Sequence, residues 1–252
     1  MEVSDQHYTR SFLMDLHGQR VVVLGGTSGV GLAVAAGAGS AGAEVVVVSS
    51  RRSSVDKALT ALPDGAAGRV ADLGDPATVR GVLDEIGELD HLVYTAGEAL
   101  ALMPVMGLDV EQARRFFGLR FFSALTAVSA AAPLVRPGGS ITLTTGTAKD
   151  RPGAGWAVPA SICGAVEALT KALAVELAPV RVNAVSPGVL RSPLWAGMNE
   201  SEREQMYGDI AEAIPAGRVG EVGDAAQAYL YCMTQTFTTG TVLTVDGGTV
   251  LV

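Results

Sequence analysis

Three glycines stand at a spacing that suits the binding of a nucleotide diphosphate. Gly25, Gly29 and Gly31 follow four apolar residues, 21–24, that are typical of a buried parallel strand, and an alanine-rich helical segment comes next. Glycine lets the backbone approach a pyrophosphate closely, and the free N–H groups at the start of a helix bind it. The sequence therefore predicts a phosphate cradle formed by Gly25, Thr27, Ser28, Gly29, Val30 and Gly31.

Two adjacent arginines follow a second apolar run, residues 45–48, in the segment Ser49-Ser50-Arg51-Arg52. In dinucleotide-binding folds an acidic residue at this point binds the adenosine ribose 2′-hydroxyl, whereas arginine accommodates a 2′-phosphate. Ser49, Arg51 and Arg52 therefore favour NADP(H) over NAD(H) as the cofactor. A solvated turn with surface arginines is the alternative interpretation.

Short apolar runs alternate with segments of helical spacing, and this alternation predicts an α/β fold with a parallel sheet. The predicted strands are residues 21–24, 45–48, 68–71, 90–95, 140–145, 180–185 and 242–245, and the main predicted helices are residues 76–86, 109–134, 161–178 and one after Glu221. Neither a repeat nor a linker interrupts the pattern. We expect one domain over residues 1–252, with residues 1–17 as a leader.

Residues 190–215 form a variable segment that contains Trp195, Met198, Met206 and Tyr207. This composition predicts an apolar-lined lid over a small-molecule substrate that is itself apolar in part. Helices of the same composition also occur as ordinary core-packing helices. The identity of the substrate stays open at this point.

The net charge and the positions of the cysteines and histidines limit the classes of function that this sequence fits. A formal charge of -8 with only three lysines argues against a nucleic-acid surface. The acidic start of the chain and the lack of a bilayer-length apolar run predict a cytoplasmic protein without a membrane span. Cys163 and Cys232 match no metal or disulfide spacing, and the three histidines contain no i, i+4 pair, so we expect no metal.

Further motifs occur in a fixed order along nearly the whole chain. They are Asp72-Leu73, Tyr94-Thr95-Ala96-Gly97, Arg181-Val182-Asn183-Ala184-Val185-Ser186-Pro187-Gly188, Gly217-Arg218-Val219-Gly220 and Val245-Asp246-Gly247-Gly248. Together with the glycine turn, they resemble the short-chain dehydrogenase/reductase family. The resemblance implies a Rossmann-type doubly wound, seven-stranded parallel sheet with helices on both faces, assembled as a homodimer or homotetramer through the two long helices. It adds as cofactor contacts Asp72, Leu73, Ala96, Gly97, Pro187, Gly188 and Leu190.

At the family's catalytic positions, this sequence has different residues. The family transfers hydride with a tyrosine, a lysine four residues later, a serine and an asparagine, and these positions fall here on Pro159, Cys163, Thr145 and Gly118. No lysine of the chain has a tyrosine four residues before it. Because a phenol needs the nearby ammonium to act as a proton donor near neutral pH, the ordinary relay is absent.

Several other polar groups lie near the expected nicotinamide site. Thr145 is a tolerable hydroxyl replacement and is the candidate catalytic residue. Lys149 in the segment Lys149-Asp150-Arg151 is more typical of a solvated charged loop, Cys163 of a small buried apolar residue, and Tyr94 of packing.

Three functions fit these observations. The first is an oxidoreductase that reduces a C=O, C=N or C=C bond with NADP(H) and without the usual relay. The second is a redox-neutral dehydratase, cyclase or isomerase that uses the same pocket. The third is a non-catalytic nucleotide sensor or partner subunit.

Overall fold

A seven-stranded parallel sheet forms the centre of the molecule, which a computed structural model describes for residues 14–252. Its strands are β1 (Arg20–Leu24), β2 (Glu44–Ser49), β3 (Ala67–Val70), β4 (Leu89–Tyr94), β5 (Val135–Thr144), β6 (Arg181–Pro187) and β9 (Val242–Val245), in the order β3-β2-β1-β4-β5-β6-β9. A second, two-stranded sheet pairs β7 (Leu190–Arg191) with β8 (Gly220–Glu221). The predicted seven-stranded parallel sheet is confirmed.

Helices cover both faces of this sheet. They are α1 (Gly29–Ser40), α2 (Arg52–Leu59), α3 (Pro76–Ile86), α4 (Val110–Phe117), α5 (Ser123–Ala131), α6 (Ala157–Glu176), α7 (Glu200–Ala213) and α8 (Val222–Thr234). On β1, Val22 and Leu24 belong to the core that α3, α5 and α6 cover, whereas Val21 and Val23 belong to the core under α1 and α8. Alternate strand residues thus enter opposite cores, and the doubly wound fold is confirmed.

The long helix predicted over residues 109–134 contains a π-helical turn. Helix α4 ends at Phe117, the turn spans Gly118–Phe122, and α5 continues to Ala131. Apolar spacing alone does not reveal such a turn, because one extra residue per turn leaves the segment helical. π-Turns often accompany functional sites.

The boundaries of three other elements also differ from the prediction. Helix α6 begins at Ala157 rather than at residue 161, so Pro159 lies within its first turn, where the backbone N–H that proline lacks has no helical partner. Strand β5 begins at Val135, which pairs with Leu89, and the Pro-Gly-Gly segment forms an irregularity before Ser140 pairs with His91. Strand β3 is displaced by one residue.

The predicted leader lies largely outside the described residues, which begin at Met14. Of its described part, Leu16 is fully buried in the core beside α1, and its backbone N–H donates to the carbonyl of Ala41. The end of the predicted leader therefore packs as part of the fold.

Two helical stretches, Val110–Leu134 and Ala157–Glu176, are long and apolar enough to cross a membrane by length and composition alone. The expectation that no apolar run reaches this length is therefore wrong. Both stretches pack one side against the sheet, as core helices of α/β domains do. Their outer sides expose Val110, Phe122 and Val175.

Candidate active site

The predicted phosphate cradle lies where the strand order of the sheet reverses. Strands β1 and β4 are neighbours there, and the chain leaves them at Gly25 and Ala96. Gly25 has φ +89°, and a Cβ at this position would lie 2.6 Å from the backbone nitrogen of Ala96. Only glycine fits this approach, and crevices at such reversal points bind nucleotides in open α/β sheets.

The amino end of α1 leaves its backbone donors free. Ser28 precedes the helix without making a side-chain capping hydrogen bond, and the first turn contains no acidic residue. A Cβ on Gly31 would collide with the carbonyl oxygen of Gly25 and with the hydroxyl of Thr95, so the helix rests directly on the turn. The unpaired N–H groups and the helix dipole suit a pyrophosphate.

The remaining predicted cofactor residues gather at the same edge of the sheet. Arg51 and Arg52 are exposed just beyond β2, and Arg51 makes no ion pair within residues 14–252. Arg52 lies 3.9 Å from Asp56, a weak exposed pair. Ser49 is the last residue of β2, and Asp72 and Leu73 follow the end of β3. Pro187 is the last residue of β6, and Gly188 and Leu190 come after it. The residues present therefore fit a dinucleotide.

The positions of the missing tyrosine and lysine are apolar and closely packed. Pro159 is buried in the first turn of α6, and Cys163 follows one turn later. A Cβ on Gly146 would lie 3.4 Å from the Cys163 Sγ, so the thiol points towards the end of β5. Burial raises the pKa of Cys163, which opposes its use as a thiolate.

The candidate hydroxyl of Thr145 is engaged with the backbone of α6. Its Oγ1 donates a hydrogen bond of 2.9 Å to the carbonyl oxygen of Cys163. A hydroxyl that donates in this way keeps its lone pairs as acceptors. Gly118, at the asparagine position, begins the π-helical turn and carries no side chain to replace the amide.

Lys149 is bound by two carboxylates. Its Nζ lies 2.7 Å from Asp150 and 2.9 Å from Glu167, and Glu167 also holds Lys171 at 2.6 Å. Partial burial lowers the pKa of Lys149, but hydrogen bonds to Asp150 and Glu167 outweigh this effect and raise it. An amine held in this way is a poor proton donor near neutral pH.

Tyr94 packs inside the protein rather than lining the crevice. Its side chain is 2% exposed, and its hydroxyl donates a 2.5 Å hydrogen bond to the carbonyl oxygen of Leu119 in the π-helical turn. Burial raises the pKa of this phenol. Tyr94 therefore ties the end of β4 to the turn.

Sequence reasoning missed one charged side chain, Arg120, which the π-helical turn directs into the site. Its guanidinium lies 4.3 Å from the ring centroid of Phe116, and a Cβ on Gly97 would lie 2.6 Å from its Nη1. An arginine within the phenylalanine-rich segment of residues 116–122 was the available signal, because a charge in an apolar stretch requires a partner or a function.

One wall of the site is the segment that follows β4. Its backbone N–H groups at Leu100 and Met103 donate to the carbonyls of Leu194 (2.9 Å) and Gly155 (2.8 Å). The predicted lid, residues 190–215, therefore reaches the site. A Cβ added to Gly29 of the phosphate cradle would lie 3.3 Å from the ring of Pro193 in this lid.

The lid carries a small core of its own. Trp195 and Tyr207 are buried with Val219, and Leu100, Trp156, Met198 and Met206 pack around them. The aromatic side chains of the lid thus form structural contacts, as the alternative interpretation expected. Within residues 14–252, no group of three His, Cys, Asp or Glu side chains could hold a metal ion.

Comparison with known proteins identifies the family to which this fold and site belong. The family model for an SDR-like Rossmann domain matches residues 13–252. The short-chain dehydrogenase/reductase fsr5 of Gibberella fujikuroi is 31% identical, over 95% of this chain and 97% of its own. A small-chain dehydrogenase solved in complex with NADPH is 36% identical with a TM-score of 0.79, over 93% of this chain and 99% of its own.

A second solved structure is closely similar in shape. The MalC reductase/Diels-Alderase from Malbranchea aurantiaca has a TM-score of 0.88 at 30% identity, and the match covers 94% of this chain and 98% of that one. The family model and the relatives span nearly the entire chain. The protein therefore belongs to the short-chain dehydrogenase/reductase family and has its oxidoreductase fold.

Proposed function

We propose that this protein is an NADP(H)-dependent reductase of a C=O, C=N or C=C bond that works without a tyrosine–lysine proton relay. The observation that carries the proposal is the intact cradle at the β1–β4 reversal beside the exposed Arg51, which makes no ion pair in the described part of the chain. The solved relative that holds NADPH supports it.

In this proposal the residues at the sheet edge hold the dinucleotide. The backbone of residues 25–31 binds the pyrophosphate, and Arg51 and Arg52 bind the 2′-phosphate. A nicotinamide held there would supply hydride, and positioning of the acceptor carbon beside it would lower the barrier without a protein phenol. Thr145 is the proposed hydroxyl for orienting the substrate. Its O–H donates to the Cys163 carbonyl oxygen, so it would turn from that carbonyl to donate to a substrate oxygen. Water is the source of the proton.

Calorimetry with NADPH and NADH, followed by absorbance assays with carbonyl, imine and enone panels, tests this function. We expect NADPH to bind at least about tenfold more tightly than NADH, as a charge-assisted phosphate contact predicts. We also expect substrate-dependent loss of NADPH absorbance. Binding of neither nucleotide would refute the proposal, and binding without turnover would favour a sensor or partner subunit.

A redox-neutral cyclase is the second candidate. The similarity to a protein described as a reductase/Diels-Alderase supports it, because such a cycloaddition needs a shaped cavity but no proton relay. Turnover that is undiminished in nucleotide-free protein would favour this candidate, and a strict requirement for NADPH would exclude it.

We also propose a cytoplasmic homodimer or homotetramer built through the outer sides of α4, α5 and α6. Phe122, in the π-helical turn that joins α4 to α5, is 60% exposed, and Val175 on α6 is 81% exposed. Exposed apolar side chains grouped on two long helices are typical of subunit contacts.

A further inference from the structure

The guanidinium of Arg120 is held on three sides within the site. It lies over the Phe116 ring, its Nη2 donates to the carbonyl oxygen of Glu98, and its Nε lies 3.8 Å from the Glu98 carboxylate. Its Nη1 faces Gly97 and has no hydrogen-bond partner within residues 14–252. The Nη1 group of this guanidinium therefore faces the crevice, and its N–H donors make no hydrogen bond in the described part of the chain.

The π-helical turn and Tyr94 place Arg120 there. The turn begins at Gly118, and the Tyr94 hydroxyl holds it by the hydrogen bond to the carbonyl oxygen of Leu119, the residue before Arg120. Both ends of this hydrogen bond are fixed, because Tyr94 belongs to β4 and is buried. Tyr94 thus sets the direction of Arg120 through the backbone.

A partly buried cation needs compensation. The Arg120 side chain is 21% exposed, whereas that of Glu98 is 41% exposed, and within residues 14–252 the Glu98 carboxylate makes only the long 3.8 Å contact. Burial lowers the pKa of Arg120, but guanidinium stays charged in proteins. Burial without a close ion pair is costly, so the residual charge favours a partner that the site binds from outside.

We propose that Arg120 is a catalytic residue that binds the oxygen of a conjugated carbonyl substrate through Nη1. This inference rests on the proposed reductase function. The substrate carbon accepts a hydride from the reduced nicotinamide, the C=O electron pair moves to oxygen, and water then protonates the product. Arg120 stabilises the negative charge that develops on that oxygen. Leu100, on the wall that follows β4, and Trp156, which packs with it around the core of the lid, suit the flat apolar body of such a substrate.

The carboxylate 2-naphthoate is a suitable probe, since it joins a flat aromatic body to a negatively charged oxygen. We expect calorimetry to show that it binds the NADPH-saturated wild-type protein. Arg120→Met should weaken this binding at least about tenfold, and Arg120→Lys should restore part of it. Arg115→Met, at an exposed arginine of α4, is the control for loss of one positive charge and should bind like wild type.

Equal affinities for the wild-type protein and Arg120→Met would overturn the proposal, and so would the absence of 2-naphthoate binding to the wild-type protein. NADPH affinity is measured in the same samples. A protein that binds no NADPH refutes the proposed reductase function, whereas Arg120→Met protein that binds NADPH but not the probe supports the role of Arg120 separately.

Alkylation of Cys163 by iodoacetamide provides a readout that needs neither nucleotide nor substrate. The charged groups that act on this thiol are Arg120, Lys149 and Asp150. Removal of the Arg120 charge, which lowers the pKa of the Cys163 thiol, should raise the midpoint of the alkylation pH profile. If Tyr94 positions Arg120, Tyr94→Phe should also raise this midpoint. Profiles that coincide with wild type in both variants would contradict the placement of Arg120.

Discussion

The Thr145 hydroxyl donates a 2.9 Å hydrogen bond to the carbonyl oxygen of Cys163 and so joins the end of β5 to α6. This contact links the candidate hydroxyl to the helix that carries the tyrosine and lysine positions of the family. The hydroxyl is therefore fixed in place, and its lone pairs stay able to accept hydrogen bonds.

Thr145→Val should separate the structural and reactive roles of that hydroxyl. Loss of the hydrogen bond should lower the free energy of unfolding by about 1 kcal/mol. If Thr145 orients the substrate, kcat/KM for reduction should also fall at least about tenfold, while NADPH affinity stays constant. Thr145→Ser should retain both properties. An unchanged kcat/KM in Thr145→Val would assign the hydroxyl a structural role only.

Arg51→Ala should reverse part of the cofactor preference. Arg51 is exposed beside the cradle and makes no ion pair in the described part of the chain, so its loss should weaken NADPH binding about tenfold and leave NADH binding unchanged. Calorimetry measures both affinities. Arg80→Ala removes an exposed arginine from α3, away from the cradle, and serves as the control. Equal losses for both nucleotides would contradict a 2′-phosphate contact.

Gly31→Ala and Gly81→Ala should change stability in opposite directions. A methyl group at position 31 collides with the Gly25 carbonyl and the Thr95 hydroxyl, and such overpacking costs about 1–3 kcal/mol. A methyl group at position 81 meets nothing within 4 Å in the interior of α3. It should therefore stabilise the helix by about 0.5–1 kcal/mol. Urea unfolding measures both changes, and equal effects would contradict the close packing of α1.

His91 should make the protein less stable in acid. Its side chain is 2% exposed and hydrogen-bonds to Ser140 and Gln19, and burial followed by repulsion from Arg181 lowers its pKa to about 4. The unfolded chain binds a proton near pH 6.5, whereas the folded protein does so only near pH 4. Stability is therefore complete above pH 6.5 and falls by about 3 kcal/mol as the pH drops through 4.

Urea unfolding of wild-type protein and His91→Asn across pH 4–7 measures this contribution. The variant should be less stable at pH 7, since it loses buried hydrogen bonds, but its stability should fall less steeply with acid. Parallel pH profiles for the two proteins would show that another group controls the acid sensitivity.

Phe122→Arg should reduce the size of the assembly. This ring is 60% exposed on the outer side of the helical pair that we propose as the subunit contact, and a buried arginine without a partner would oppose association. Light scattering after gel filtration measures the mass. Met106→Arg, at a loop residue that is 91% exposed, should keep the wild-type mass. A Phe122→Arg protein of unchanged mass would exclude this face as the contact.

The sequence alone determined the architecture and the absence of a Tyr-x-x-x-Lys motif. Valine runs such as residues 45–48 are buried on both faces of a parallel sheet, so their composition reveals them without a partner strand. The turn of residues 25–31 is visible because its glycines serve backbone geometry rather than side-chain contacts. The absence of a tyrosine four residues before any lysine follows from residue identity alone.

Only the tertiary structure decided which charged groups can act. Lys149 and Arg120 look equally available in the sequence, yet two carboxylates bind the first, whereas the second points one nitrogen into the site. The helical pattern of residues 109–134 hides the π-helical turn, because apolar spacing records which residues face the core but not how the backbone is wound between them. Burial, pairing and direction depend on contacts between segments far apart in the chain, and those contacts exist only once the sheet and helices have packed.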